Sequence, residues 1–128
     1  MKSGAIQSGA VLEHEGVGIV EDLGRGVRNP NVGDRVVIPS TNPCSYSTYC
    51  RSGSYSQCDV ANPDGASSGM AYFGGPASSV PFDGLQAKYA HIPYAGVGLF
   101  KLPEEVSDEQ ASTLSGIFYA CLFRRKVG

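Results

Sequence analysis

LEHEGVGIVEDLGRGVRNPNVGDRVVIP, residues 12–39, places two short β-type runs either side of a segment made largely of turn formers. Val17-Gly18-Ile19-Val20 is the first run and follows Glu13-His14-Glu15. Residues 22–34, DLGRGVRNPNVGD, are dense in Gly, Asn, Pro and Asp, which supply the dihedrals tight turns require. Arg35-Val36-Val37-Ile38 is a β-branched run that Pro39 ends. Two such runs across one loop are expected to pair as antiparallel neighbours.

The remaining composition agrees with turn-rich β structure. The chain has 128 residues, enough for one domain, with 17 glycines, 8 prolines and an apolar fraction of 41%. The net charge is −2 and the basic residues are scattered, which argues against a nucleic-acid partner. Arg124, Arg125 and Lys126 form the densest basic group and read as a solvated tail. The first residues precede no apolar core of a signal peptide, and no run is long enough to span a bilayer, so no membrane is expected. A cytoplasmic location follows as the expectation, and there clustered cysteines bind metal or do chemistry more often than they form disulfides.

Beyond residue 39 the signals alternate between strong and weak. Residues 59–84 read as loop, with turn signals at Asn62-Pro63-Asp64-Gly65 and Gly74-Gly75-Pro76. Leu85 to Ile92 alternates like a strand, and Val97 to Leu102 is another strand candidate that Pro103 stops. Ser107 and Gln110 form a capping box, in which each side chain satisfies an orphan backbone N–H. Ala111, Leu114, Ile117, Phe118, Cys121 and Leu122 then recur at helical spacing and predict an apolar stripe. Leu114, Ile117, Phe118 and Leu122 form a face suited to a partner.

Chemistry concentrates in residues 43–58, PCSYSTYCRSGSYSQC, which hold three of the four cysteines. Ser47 lies midway between Cys44 and Cys50. A cysteine there would complete C-x2-C-x2-C-x7-C, whose short loops let four thiolates converge on one tetrahedral ion. With serine, Cys44, Cys50 and Cys58 remain either a weakened zinc site or three free thiols. His14 beside two glutamates reads on its own as a surface or hydrogen-bonded residue, His91 as structural, and Cys121 as a buried small hydrophobe. Gly16-Val17-Gly18 and Gly24-Arg25-Gly26 do not complete a G-x-G-x-x-G, so no dinucleotide site is encoded in this stretch.

The order of motifs resembles the zinc-dependent alcohol dehydrogenases of the medium-chain group, above all their glutathione-independent aldehyde/alcohol branch. The likeness runs from about residue 9 to residue 118 and is carried by residues 12–39, by the cysteine array CSYSTYCRSGSYSQCD, and by GLQAKYAHIPYAGVGLFKLPEEVSDEQASTLS at residues 84–115. It implies a mainly β, GroES-like partly open barrel with a zinc-lobe loop at residues 40–60 and one C-terminal helix, the whole of 1–128 forming one catalytic domain. It further implies that Cys44, Cys50 and Cys58 are structural-zinc ligands, with Ser47 where the family has Cys. His14 becomes a catalytic-zinc ligand and Glu15 a neighbour able to approach the metal.

Departures from the pattern shape the functional expectation. Glu13 stands where the family has Gly, and Gly116 stands where the branch has an acidic ligand. A further Cys ligand is expected upstream of these residues, and the Rossmann domain that would supply NAD(P) binding has no counterpart here. The chain is thus expected to be a fragment of an enzyme moving hydride between a small alcohol or aldehyde and NAD(P), inactive alone and a candidate homo-oligomer when whole. The alternative is a non-catalytic zinc-binding or interaction module derived from such a domain.

Overall fold

The two β-type runs pair as expected. In the computed structural model, which describes residues 8–62, 71–75 and 82–117, β1 (Gly16–Ile19) runs antiparallel to β2 (Arg35–Ile38), with Val17 opposite Val37 and Gly18 opposite Val36. Outside the ladder, Val20 N donates to Asp34 O at 3.0 Å and Gly33 N to Val20 O at 2.8 Å, closing the hairpin. β3 (Phe100–Lys101) joins the other edge of β2, so the sheet is open, with order β1-β2-β3. As the central strand, β2 buries Val36, Val37 and Ile38, and each such side chain contributes about 1.5–3 kcal/mol of transfer free energy.

Two apolar clusters divide the packing. Val37, Leu102 and Ala111 join the sheet to α3 (Asp108–Leu114), with Val17, Val106 and Leu114 packed around them. Cys44, Cys50, Cys58, Ala61 and Ala71 form a second cluster in the loop lobe, against Val60 and Phe82. Arg35 clamps the first. Its guanidinium donates to Pro103 O at 2.8 Å, to Val106 O at 2.5 Å and to Asp108 Oδ1 at 3.0 Å, so the turn before α3 is tied to the central strand. The start of α3 carries the expected capping box: Gln110 N donates to Ser107 Oγ and Ser107 N to Gln110 Oε1.

Two expectations are corrected. Leu85 to Ile92 is not a strand. Gly84, Leu85 and Gln86 donate to the carbonyls of Val11, Glu13 and Leu12, and Ala87 N then turns back to Leu85 O at 2.8 Å, which ends any extended pairing. Tyr89, Ala90 and His91 are exposed, so the alternation has no core to face. The close approach to residues 11–12 needs Gly84, because a Cβ there would overlap the Leu12 carbonyl. Val97 to Leu102 is shortened as well: Ala95–Gly98 forms the single helical turn α2, and the strand is reduced to Phe100 and Lys101, after which Leu102 N donates to Arg35 O at 2.8 Å.

The sequence leaves the end of the helix open. α3 stops at Leu114, where Ser115 Oγ donates to Ile38 O at 2.6 Å, drawing the chain onto the sheet. Ala111 is fully buried and Leu114 half-buried, whereas Ile117, the last described residue of the stripe, is 57% exposed. Phe118, Cys121 and Leu122 lie outside the described residues, as do Pro63, Asp64 and Gly65 of the strongest loop signal. The mainly β, partly open architecture and its helix after the sheet are those expected. No helix among the described residues is long and apolar enough to cross a membrane.

Candidate metal centre

The lobe begins where Pro39 and Pro43 forbid further ladder bonds. Ser47 caps the one-turn helix α1 (Thr48–Arg51): its Oγ accepts from Cys50 N at 3.3 Å. A 3-10 turn at Tyr55–Gln57 then returns the chain to Cys58. These two turns bring Cys44, Cys50 and Cys58 together, with all three Sγ atoms within 4.8 Å of one another. Their residues are 1%, 3% and 3% exposed, so the thiols face one another and not solvent.

The geometry fits a metal. A tetrahedral zinc with Zn–S bonds of about 2.3 Å holds its sulfurs about 3.8 Å apart, and Cys44 Sγ lies 3.9 Å from Cys50 Sγ. Ser47 Oγ stands 3.9 Å from Cys58 Sγ, beside the thiols. The serine expected to weaken the site is therefore buried within it and already committed as a helix cap. Sequence spacing placed Ser47 at the missing ligand's position; its capping role was signalled only by a Ser preceding a short polar turn.

Backbone donors prepare the sulfurs for charge. Cys58 Sγ accepts from Cys44 N and Ala61 N, each at 3.4 Å, and Cys44 Sγ accepts from Ser47 N at 3.3 Å. Burial alone would raise the Cys58 thiol, but these N–H groups and the neighbouring thiols outweigh it and bring it down to about 7. Burial pushes the Cys50 thiol up, against the hydrogen bonds from Ser47 and Ser45. One pocket thus holds a sulfur eased toward thiolate beside one held as thiol.

His14 and Glu15 occupy a different setting, beside the first strand. His14 is exposed, its ring edge-on to Tyr72 with centroids 5.5 Å apart. Its carbonyl accepts from Ser115 Oγ at 3.5 Å. Glu15 is half-buried, and its Oε1 lies 2.6 Å from where a Cβ on Gly116 would stand, with Ser40 Oγ nearby. Glu15 thus reaches toward position 116 across the sheet end, the two positions that the family resemblance sets around one metal. Glu13 has φ +77, a left-handed conformation that strains any residue with a Cβ and suits glycine. Among the described residues, Cys44, Cys50 and Cys58 are the only group of three or more His, Cys, Asp or Glu placed to share one ion, so His14 and Glu15 acquire no third donor there.

Comparisons with known proteins agree with this arrangement. Residues 1–104 match the family described as the alcohol dehydrogenase GroES-like domain. The chain is 38% identical over 112 residues to an uncharacterized zinc-type alcohol dehydrogenase-like protein, AdhB, of Bacillus subtilis, covering 86% of this chain and 29% of that one. It is 38% identical over 95 residues to the glutathione-independent formaldehyde dehydrogenase of Pseudomonas aeruginosa, covering 74% of this chain and 23% of the other. Among solved structures, alcohol dehydrogenase TADH from Thermus sp. ATN1 superposes with a TM-score of 0.80 at 31% identity, over 94% of this chain and 33% of that one. The chain therefore spans a third or less of the length of each of these three proteins.

Proposed function

The chain belongs to the alcohol dehydrogenase GroES-like domain family, and we propose that it is the catalytic-domain portion of a zinc- and NAD(P)-dependent dehydrogenase acting on a small alcohol or aldehyde. The observation that carries this reading is the lobe of three buried, mutually adjacent thiols in a chain of that family. Residues 1–128 read as one domain, with the lobe at 40–60 a local unit inside it. Cys44, Cys50 and Cys58 hold zinc through sulfur, and Ser47 offers only a neutral, hard oxygen as the fourth donor.

His14 and Glu15 are the residues proposed for the catalytic metal. They supply part of a donor set; Gly116 has no side chain to add, and among the described residues nothing else completes it. When bound in a whole enzyme, zinc polarises the substrate carbonyl and eases ionisation of the alcohol for hydride exchange with nicotinamide. The chain's own contribution is positional. The Ser115 hydroxyl bonds the carbonyls of Ile38 and His14, so the start of the site and the end of α3 move together. Cofactor binding and homo-oligomer contacts are assigned to other parts of the whole protein, and a cytoplasmic setting keeps the thiols reduced.

A second reading, a non-catalytic metal-binding or interaction module, is favoured by the incomplete donor set around His14. The two separate on the neighbouring gene: an adjacent reading frame carrying G-x-G-x-x-G favours the dehydrogenase, and none there favours the module. With a primary alcohol and NAD, both readings expect the chain alone to show no turnover above the uncatalysed rate; measurable turnover overturns that expectation and sinks the module. Metal analysis is expected to give about one zinc per chain, lost on Cys44→Ser; no zinc in the unaltered chain overturns the metal-binding part of both.

A further inference from the structure

We propose that the Cys44–Cys50–Cys58 lobe is a three-coordinate thiolate site that prefers a trivalent metalloid of the arsenous-acid class to a divalent ion needing four donors. This rests on the reading above only in taking the three thiols as one pocket. Three observations lead here. All three Sγ atoms lie within 4.8 Å of one another and are buried, so a centre bound by three sulfurs finds its donors already gathered in one pocket. Where the spacing puts a fourth ligand stands Ser47, whose Oγ lies 3.9 Å from Cys58 Sγ, is neutral and already accepts the Cys50 N–H to cap α1. A tetrahedral zinc loses a full ligand at its fourth position, whereas a pyramidal trivalent centre keeps its own lone pair there and requires none.

Charge gives the third argument. Three thiolates around a divalent ion leave a net negative charge in a lobe whose ligands are almost fully buried, and burying unbalanced charge is unfavourable. Three thiolates around a trivalent centre leave none. The reaction balances without an oxidant: arsenous acid and three thiols give one arsenic trithiolate and three waters. Three As–O and three S–H bonds break, three As–S and three O–H bonds form, and each thiol proton leaves on a hydroxide. Arsenic stays trivalent and sulfur is not oxidised.

The test uses the reduced full chain carrying Cys121→Ser, which removes the fourth thiol. Titrated with arsenous acid, it is expected to gain one arsenic less three hydrogens by intact mass and a near-ultraviolet sulfur-to-arsenic absorption. Adding Cys58→Ser is expected to weaken arsenic binding by about tenfold or more, because one of three bonds is lost. Adding Ser47→Cys is expected to raise zinc affinity by about 100-fold or more while leaving arsenic affinity unchanged, collapsing the preference. Should these variants fail to fold, alkylation of the unaltered lobe decides: bound arsenic must protect all three cysteines together. Arsenic held by two sulfurs only, or a zinc-to-arsenic preference indifferent to Ser47→Cys, overturns the proposal. Arsenic bound with no zinc uptake sinks the zinc reading and leaves this one standing; zinc bound and arsenic refused does the reverse.

Discussion

The thiol lobe and the His14–Glu15 edge are both candidate metal positions, and they differ in how the chain builds them. The lobe draws its donors from residues 44–58 alone, through one capped turn and one 3-10 turn, and closes over them. The edge offers an exposed imidazole and a half-buried carboxylate beside a strained Glu13, and looks across to residues about a hundred positions later. A site built within one loop can persist when its surroundings change. A site assembled across the fold depends on every element that reaches it, here on Ser115 and Gly116 following α3.

Ligand removal should separate the two regions most sharply. Cys44→Ser or Cys50→Ser is expected to weaken zinc binding by more than the about 10–100-fold typical of outer-shell changes, read with a chromophoric chelator. His14→Ala should leave that affinity unmoved. Zinc lost on His14→Ala and retained on Cys44→Ser would invert the comparison.

Stability offers the next contrast. Arg35→Ala removes three hydrogen bonds tying β2 to the approach of α3, and is expected to lower unfolding free energy by about 2 kcal/mol in denaturant titration. Zinc stoichiometry should not change, because the clamp lies outside the lobe. Loss of the metal along with the stability would mean that the lobe is not locally built. Glu13→Gly acts in the opposite direction: it relieves a left-handed residue and should stabilise the chain by about 1 kcal/mol. A destabilisation of that size would show that the edge needs the Glu13 side chain more than the relaxed backbone.

The smallest effect lies on the sheet. Asp34 Oδ1 and Lys101 Nζ are 2.6 Å apart, and the lysine, with the Asn31 N–H, holds the Asp34 carboxyl below its ordinary range. A depressed carboxylate stabilises the fold above its unfolded pKa, and that contribution is lost as pH falls through the folded value. Lys101→Ala should therefore cost a little stability near neutrality and nothing measurable once Asp34 is protonated. A difference that persists in acid would assign the effect to packing instead of charge.

Much of this arrangement was legible in the sequence where the signal was local. Val36-Val37-Ile38 against Pro39 announced the central strand, and Ser107 with Gln110 announced the start of α3, because turn chemistry and capping are decided by neighbours. The cysteine spacing announced the lobe for the same reason. Leu85 to Ile92 misled because alternation supplies a face without supplying anything to bury it, and Ala87 N bonds back to Leu85 instead. The length of β3 was set by where β2 had edge to offer, and the end of α3 by the Ser115 bond to Ile38; both are long-range facts. At the edge, Glu13 standing for Gly was visible and the resemblance set Glu15 and position 116 around one metal, while the left-handed backbone of Glu13 became plain only in three dimensions.

The cap that Ser47 places on α1 has a corollary for metal removal. That hydroxyl, with the Arg51 N to Ser47 O bond, holds the turn that carries Cys50 toward Cys44 and Cys58. A lobe held this way is expected to keep its fold when a chelator strips any bound ion, read by circular dichroism before and after; melting on chelation would show that the ion, and not the cap, sets the turn.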